Sequence, residues 1–584
     1  MTSHLSLGVV GLLVFLTVLL THSQFPIAHV LGDNIWNVPT AFSLLHRGNL
    51  DLVEYQGLID RYPGLRYTVR MIDNTPYNTY PLGASLVALP FVAAFDWIAS
   101  RILSVDLYEL SQQQILARLD VFIGSALVAA TAVVLYRTAR LFTGNASAVL
   151  VAFVFAFGTA ALSTGSRELN QHSTTMLALA VTLYCLLRAP ESARYLLLAG
   201  FALAFAFVIR PTNGLSALVL TVYVALHYRR GFGWFAVGAA VVALPFMVWS
   251  ASLFGSLLPP QYAGGIFSRF GTATLVEGLL GHLVSPNRGL FIFSPVLLFS
   301  LLGIGVKWRA KSLTALDGGL LLILLLHWIV ISMFDDWYAG HSFGPRYPMD
   351  MLPYLCYFLT PFFTALPRFR PALAVPTALA LVAATGFSLF VNVRGATVDA
   401  TQAWNTTPNN VDAHTERAWD WNDLQFMRGM GLPLAVATMS PVSRFRFEFD
   451  ATSMLYQGSG WASPERTGDG MSFQWTVARE ATLMLRLHDD EDLAVDMRIP
   501  AAAPDVLAGV ELAVNGQSIG LMVAGEVYSG VIPASALPAN GGVSELRFSV
   551  PRLVVPAEVD PQSSDRRTLG LMLDYLVIRP VPGT

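Results

Sequence analysis

Charge and cysteine are both scarce in this chain. Of its 584 residues, 13% are charged and two are cysteine, whereas 54% are hydrophobic. So low a charge content excludes an ordinary soluble protein, and a net charge of -3 gives no basic surface for nucleic acid. Cys185 and Cys356 lie in apolar runs and predict neither a disulfide nor a thiolate metal site. The composition is that of a polytopic membrane protein.

About eleven apolar runs are long enough to cross a bilayer. Basic clusters recur between the later runs, and eleven spans place all these clusters on one side of the membrane, opposite Asp33. We therefore expect a mainly α-helical membrane domain, residues 1–391, with Asp33 on its extracytoplasmic side. The spans are predicted at about 5–22, 116–136, 146–164, 172–188, 195–209, 214–228, 234–254, 289–306, 317–334, 347–366 and 371–391.

Two of the apolar segments need a separate argument. The run from Leu5 to Leu20 resembles a signal peptide in length but lacks an A-x-A-like cleavage site before Asp33, so we interpret it as the first span. Pro81–Leu103 is also long enough to span, yet Pro90 and Asp96 interrupt it, and counting it would move every basic cluster to the Asp33 side. We predict a re-entrant or interfacial helix within a first outer loop of residues 23–115.

The composition changes after residue 391. Residues 392–440 are polar and are predicted to be a linker, and residues 441–584 contain apolar residues at a spacing of two. This pattern predicts a C-terminal extracytoplasmic β-sandwich. Its aromatic residues suit carbohydrate binding and are equally typical of a sandwich core: Tyr456, Trp461, Trp475 and Tyr528. The predicted strands are Arg444–Asp450, Ala481–Leu487, Val510–Gly516, Glu545–Val550 and Leu569–Ile578.

Each predicted outer loop carries an arginine, against the charge bias that orients the protein. Any one of these arginines has an ordinary explanation, since Arg167 has Glu168 beside it, Arg346 has Asp336 nearby, and arginines also reach lipid headgroups. Together they favour an anionic ligand, because the guanidinium fork pairs with phosphate through two hydrogen bonds. The candidate phosphate-binding residues are Arg167, His172, Arg210, Arg288 and Arg346.

Five motifs carry a resemblance to a known family: GDNIWNVPTAFSLLHRGNLDL, YNTYPLGASLVALPF, SRELNQH, SPNRGLFIFSP and WYAGHSFGPRYPMDMLP. They resemble segments of the bacterial GT-C glycosyltransferases, the superfamily of protein O-mannosyltransferases and the lipid A aminoarabinose transferase. The resemblance covers roughly residues 1–390. It implies inverting transfer of a sugar from a polyprenyl-phosphate donor to a hydroxyl acceptor, with Asp33 as general base. Asn34 replaces the glutamate of the family's Asp-Glu pair, which puts a second-carboxylate or metal role in doubt.

The residues themselves suit this chemistry. A carboxylate is able to take the proton of an attacking hydroxyl, although Asp33 is also well placed to cap a helix that starts near Ile35. Trp337 and Tyr347 suit a sugar site and are equally typical of an interfacial aromatic belt. The candidate substrate-binding residues are Asn34, Tyr80, Glu168, Asn213, Asp336, Trp337, His341 and Tyr347.

The expected partners are the lipid bilayer, a polyprenyl-phosphate-linked sugar and a glycan, lipid or protein acceptor. We expect a multi-pass protein of the bacterial inner membrane whose active site and C-terminal domain are extracytoplasmic. No cofactor is predicted, and a divalent metal has no support from the spacing of acids and histidines. The alternative is a transporter or flippase of a lipid-linked sugar, which internal repeats and midplane polar sites would favour.

Overall fold

The computed structural model describes residues 2–26, 32–263, 270–271, 274–406, 410–430, 436, 441–450, 456–462, 464–467, 470–488, 490–539, 541–559, 563 and 565–581. The chain divides into two compact units. The first is Met1–Ala339 with Gly344–Thr397, and the second is Gly340–Phe343 with Val398–Thr584. Residues 398–430, in the predicted linker, therefore fold with the second unit.

Within its described residues, the first unit is helical apart from one hairpin, β1 (Val69–Ile72) and β2 (Thr75–Asn78). Its helices are α1 (Thr2–Gln24), α2 (Asn37–Arg47), α3 (Gln56–Arg61), α4 (Gly83–Ile98), α5 (Leu107–Gln113), α6 (Ala117–Ala139), α7 (Asn145–Phe157), α8 (Gln171–Arg188), α9 (Ala193–Ile209), α10 (Gly214–His227), α11 (Phe232–Phe254), α12 (Pro260–Ala263), α13 (Leu275–Val284), α14 (Leu290–Phe293), α15 (Leu298–Arg309), α16 (Ala315–Ser332), α17 (Leu352–Ala365) and α18 (Pro371–Thr397).

Each predicted span overlaps a helix: α1, α6 to α11 and α15 to α18. The predicted span 289–306 is not one continuous α-helix, because α14 ends at Phe293 and α15 begins at Leu298. Among the described residues, seven helices are long and apolar enough to cross a membrane. They are Leu7–Gln24, Gly83–Leu103, Ala117–Ala139, Gln171–Glu191, Phe232–Phe254, Ala315–Ser332 and Pro371–Thr397. The prediction of a mainly helical membrane protein is confirmed.

The segment Gly83–Leu103 meets the length criterion, but its contacts favour the predicted interfacial placement. At one end, a Cβ added to Gly83 would lie 2.7 Å from Ile209 Cγ1, at the C-terminal end of α9. At the other end, the rings of Phe95 and Phe122 are 5.0 Å apart, close to the N-terminal end of α6. If α6, α7, α8 and α9 cross the membrane in alternating directions, the N-terminal end of α6 and the C-terminal end of α9 lie on the same side. Both ends of α4 therefore face one side of the bundle, and the placement stays a prediction.

Glycines bring α9 and α11 unusually close together. A Cβ on Gly200 would lie 2.0 Å from the carbonyl oxygen of Phe235, and a Cβ on Gly238 would lie 1.9 Å from that of Leu197. Small residues let membrane helices gain van der Waals contact where burial from water supplies no driving force. The two glycines thus set the distance between the two helices.

The substitution Gly238→Ala is expected to destabilise the bundle, because the obstructing atom is backbone and the helices must separate. Overpacking of this kind costs about 1–3 kcal/mol, so the apparent melting midpoint in detergent should fall by several degrees. Gly233→Ala on the same helix is the control, since nothing lies within 4 Å of its added Cβ. Equal midpoints for the two variants would contradict the packing argument.

The second unit contains antiparallel sheets and the short helices α19 (Asp399–Ala403), α20 (Pro504–Ala508) and α21 (Pro556–Val559). Its strands are β3 (Phe445–Glu448), β4 (Glu465–Arg466), β5 (Ser472–Trp475), β6 (Glu480–Arg486), β7 (Leu493–Arg498), β8 (Glu511–Val514), β9 (Gln517–Ile519), β10 (Met522–Ala524), β11 (Val527–Ile532), β12 (Val543–Ser549), β13 (Met572–Leu573) and β14 (Tyr575–Pro580). The strand orders are β10-β11-β7-β14-β3, β6-β12-β8-β9 and β13-β5-β4. One hydrophobic core joins the first two sheets, with Phe447, Val495 and Leu576 from one and Leu483 and Leu546 from the other.

Two details of the C-terminal predictions change. The predicted strand Leu569–Ile578 is wrong as a single strand, because the chain changes sheets at Asp574, whose carboxylate accepts a hydrogen bond from Arg498 Nη1 at 2.8 Å. The core explanation accounts for most of the aromatic residues. Trp461 packs 5.1 Å from the Phe449 ring, and Tyr528 is 5% exposed. Carbohydrate binding by this unit stays a prediction.

Candidate active site

Asp33 lies in a turn that two buried side chains anchor. Ile35 and Trp36 are almost fully buried, and Trp36 Nε1 donates a hydrogen bond of 2.7 Å to Thr68 Oγ1. The residue that precedes the first turn of α2 is Trp36, so Asp33 does not cap that helix. The anchored turn leaves the Asp33 side chain 28% exposed.

The Asp33 carboxylate meets two phenols and one guanidinium. The Tyr67 hydroxyl donates to Oδ1 at 3.2 Å, and Arg346 Nη1 lies 3.5 Å from Oδ2. Tyr80 is the second phenol, and burial followed by the charge of Asp33 raises its pKa. A partly exposed carboxylate held beside a partly exposed cation is a suitable arrangement for a base that meets a charged substrate.

A second carboxylate lies next to Asp33 even though Asn34 replaces the glutamate of the resembled family. Asn34 Nδ2 donates a hydrogen bond of 2.9 Å to Glu168 Oε1, and Glu168 is 6% exposed. Burial raises the pKa of Glu168 to about 8; Arg346 opposes this shift and the charge of Asp33 adds to it. Asn37, the first residue of α2, contacts the residue that follows Glu168: its Nδ2 donates a hydrogen bond of 2.9 Å to the carbonyl oxygen of Leu169.

This carboxyl group predicts a pH dependence of stability. Its pKa rises on folding from 4.5 to about 8, so between these pH values the folded chain binds more protons than the unfolded chain. Stability should fall as pH rises through this window. Glu168→Gln is expected to flatten the change, measured as the apparent melting midpoint in detergent from pH 5 to 9. The exposed Glu109→Gln is the control, and an unchanged slope in Glu168→Gln would contradict the assignment.

Arg346 differs from the other candidate arginines in its contacts. Its side chain is 20% exposed and ion-paired with Asp33, and its buried Nε has no hydrogen-bond partner among the residues that the structure describes. Its Cζ atom lies 5.7 Å from the ring centroid of Tyr347. A guanidinium in this state has donors left for an anionic ligand.

Arg210 and His172 share a buried carboxylate that the sequence analysis did not select. Arg210 Nη1 donates to Asp350 Oδ2 at 2.6 Å, and His172 Nδ1 lies 2.9 Å from Asp350 Oδ1. All three residues are at most 7% exposed. Arg210 also lies over Tyr347, with its Cζ atom 5.6 Å from the ring centroid. The structure thus links His172, Arg210, Tyr347 and Arg346.

Three other candidates make mainly structural contacts. Arg167 donates to the carbonyls of His22 and Phe25, at the end of α1. Arg288 Nε donates to the carbonyl of Tyr338 at 2.7 Å, and Asn213 Nδ2 donates to the carbonyl of Ala206 at 3.0 Å. Such bonds to backbone carbonyls satisfy buried groups and fix loops. Their predicted ligand contacts stay predictions.

The remaining candidates separate into two places. Asp336 Oδ2 accepts a hydrogen bond of 2.9 Å from the Tyr347 hydroxyl, and Trp337 is 2% exposed with its ring 5.9 Å from His282. His341 belongs to the second compact unit, where its Nε2 lies 2.9 Å from Asn410 Oδ1. Asp336 therefore joins the Tyr347 cluster, and Trp337 packs in the interior.

Sequence reasoning missed Tyr67, Asn37 and Asp350. Asp350 had a usable signal, because an acid inside the predicted span 347–366 calls for a buried partner. Tyr67 lies two residues before the hairpin β1–β2. The turn residues of this hairpin, Asp73 and Asn74, both have positive φ. Aspartate and asparagine tolerate positive φ, so the two together suit a two-residue hairpin turn. Asn37 carried no local signal.

The side chains that usually hold a metal ion are those of aspartate, glutamate, histidine and cysteine. Among the residues described, these side chains form no group of three or more that could hold a metal ion. Asp33 and Glu168 approach one another, but the Asp33 carboxylate contacts the phenol of Tyr67 and the guanidinium of Arg346. The Glu168 carboxylate contacts the amide of Asn34. These groups favour a site for an anionic ligand.

Comparisons with known proteins found one matching family model and several similar solved structures. Residues 114–250 match the family model described as dolichyl-phosphate-mannose-protein mannosyltransferase. The oligosaccharyltransferase of Archaeoglobus fulgidus, solved with Zn and sulfate, aligns with a TM-score of 0.41 and 16% identity, over 70% of this chain and 56% of that chain. ArnT from Cupriavidus metallidurans, solved with undecaprenyl phosphate, aligns with a TM-score of 0.41 and 14% identity, over 69% of this chain and 70% of that chain. A search of curated proteins found no match.

The matched residues 114–250 run from the start of α6 through most of α11 and include Glu168, His172 and Arg210. The chain spans about half the length of the archaeal oligosaccharyltransferase to which it aligns. The match over residues 114–250 confirms, for this part of the chain, the resemblance to the protein O-mannosyltransferases.

Proposed function

We propose that this protein transfers a sugar from a polyprenyl-phosphate donor to a hydroxyl acceptor, with inversion at the anomeric carbon. The observation that carries the proposal is the pair formed by Asp33 and Arg346. Asp33 is partly exposed and 3.5 Å from Arg346 Nη1, while the buried Nε of Arg346 has no hydrogen-bond partner among the described residues. One site therefore offers a proton acceptor and a phosphate-binding cation.

Asp33 and Arg346 have different roles in a single displacement reaction. Asp33 takes the proton of the acceptor hydroxyl while the acceptor oxygen bonds to the anomeric carbon. The bond from that carbon to the phosphate oxygen breaks, and its electron pair leaves with the polyprenyl phosphate. Arg346 stabilises the charge that develops on this phosphate, in a site where burial strengthens the interaction. The products are the glycosylated acceptor and a polyprenyl phosphate, and the anomeric configuration is inverted.

We place this reaction on the extracytoplasmic face of a bacterial inner membrane. The support is the distribution of basic clusters, which lie between the apolar runs on the side opposite Asp33. The antiparallel-sheet unit would also be extracytoplasmic and would assist acceptor binding or positioning. A glycan, a lipid or a protein hydroxyl would serve as acceptor.

The purified protein in detergent, given radiolabelled polyprenyl-phosphate sugars and a panel of hydroxyl acceptors, should produce labelled acceptor. The same protein in vesicles should not move the labelled lipid across the bilayer in the absence of acceptor. Movement of the labelled lipid across the vesicle bilayer, together with no transfer in either preparation, would refute the transferase and favour the flippase.

A further inference from the structure

Two arginines lie over the ring of Tyr347. The Cζ atoms of Arg210 and Arg346 are 5.6 Å and 5.7 Å from its centroid, and its hydroxyl donates to Asp336 Oδ2 at 2.9 Å. Cations within about 6 Å of an aromatic face are attracted to the ring, more strongly when desolvated. Arg346 directly precedes Tyr347 in the chain, so the ring position fixes the backbone from which Arg346 extends.

Arg210 is itself fixed by Asp350. The ion pair of 2.6 Å between Arg210 Nη1 and Asp350 Oδ2 is buried, with side chains 8% and 1% exposed. The second carboxylate oxygen lies 2.9 Å from His172 Nδ1. Asp350 stands in the same 3-10 helix as Tyr347, Tyr347–Met351. One short turn therefore carries both the ring and the carboxylate that holds the cation over it.

We propose that Asp350 is a positioning residue that acts on Arg346 through Arg210 and Tyr347. The inference rests on the proposed function, in which Arg346 binds the donor phosphate. Asp350 has no role as a phosphate ligand, since its carboxylate is negative and already accepts from Arg210. Removing its charge frees the Arg210 guanidinium to move away from Tyr347, and Arg346 then loses its fixed orientation.

A double-mutant cycle tests this route. The affinity for undecaprenyl phosphate would be measured on the full-length protein in detergent, for the wild type, Arg346→Ala, Asp350→Asn and the double variant. We expect Asp350→Asn alone to weaken binding by about tenfold, a coupling within the range for residues in one network. In the Arg346→Ala background the same change should have no further effect, because the group on which Asp350 acts is gone.

A second variant separates the loss of Arg346 positioning from a folding defect in Asp350→Asn. Tyr347→Leu leaves every buried ion pair intact and breaks the same link, and it also removes the hydrogen bond from the Tyr347 hydroxyl to Asp336 Oδ2. It should weaken binding, and it should have no further effect beside Arg346→Ala. Asp317→Asn is the matched control. It breaks a different buried ion pair, with Lys307 Nζ at 2.6 Å, and is expected to lower stability without changing phosphate affinity.

The outcomes separate this inference from the proposed function. Unchanged binding in Arg346→Ala would remove the phosphate site and both ideas with it. Weaker binding in Arg346→Ala, together with full additivity of Asp350→Asn or of Tyr347→Leu, would overturn the positioning role alone. Additive effects would mean that Asp350 or Arg210 acts on the ligand independently of Arg346.

Discussion

Asp33→Asn is expected to abolish sugar transfer while the donor remains bound. The amide has nearly the same shape as the carboxylate but is unable to accept the hydroxyl proton, and loss of a general base lowers a rate by about a hundredfold to ten-thousandfold. Donor binding should persist, because Arg346 and not Asp33 is the proposed ligand of the donor phosphate. The measurement is kcat for the transfer of labelled sugar, beside the affinity for the donor lipid.

The control for this variant is Asp60→Asn in the same predicted loop. Asp60 is exposed and pairs with Arg66, whose Nη2 lies 3.1 Å from Asp60 Oδ1, and surface pairs of this kind contribute little. Its transfer rate should equal that of the wild type. A normal kcat in Asp33→Asn would exclude Asp33 as the base and would leave Glu168 as the nearest alternative carboxylate.

Arg346→Ala is expected to weaken donor binding by about tenfold to a hundredfold. Hydrogen bonds to charged groups contribute about 1.5–3 kcal/mol, and the site offers a guanidinium whose Nε has no partner among the described residues. The rate at saturating donor should also fall, since the leaving phosphate gains charge in the transition state. Affinity and kcat would be measured separately to divide the two effects.

Two variants make the result specific for the guanidinium. Arg346→Lys keeps the charge but loses the planar fork that pairs with phosphate through two hydrogen bonds, so its affinity should lie between those of the wild type and the alanine variant. Arg66→Ala removes an arginine that is 66% exposed and should leave affinity unchanged. Equal weakening in both alanine variants would indicate general attraction between the lipid and positive charge.

The sequence was informative where a property depends on composition or short-range periodicity. Apolar runs predicted the positions of α1, α6 to α11 and α15 to α18, because a helix that crosses the bilayer needs a continuous apolar stretch of about 20 residues. Alternating patterns likewise located β3, β6, β8 and β12 to within a few residues. The strand Leu569–Ile578 failed because an apolar run does not reveal that its two halves pair with different sheets.

The site was predictable in outline and not in detail. Asp33 was identified by its position after the first span, and Arg346 by its departure from the charge bias. Arg167 and Arg288 carry the same sequence signal as Arg346, yet their guanidinium groups are occupied by backbone carbonyls. Which arginine keeps donors for a ligand depends on neighbours that only folding brings together.

By itself the sequence determined a helical membrane protein with a C-terminal sheet region, a carboxylate after the first span and several arginines in its loops. Only the tertiary structure decided that Asp33 meets Arg346, that Asn34 holds Glu168, and that Asp350 holds Arg210. The last two contacts join residues 134 and 140 positions apart. Hydrophobic pattern fixes which segments become helices, whereas the pairing of buried polar groups depends on how those helices pack.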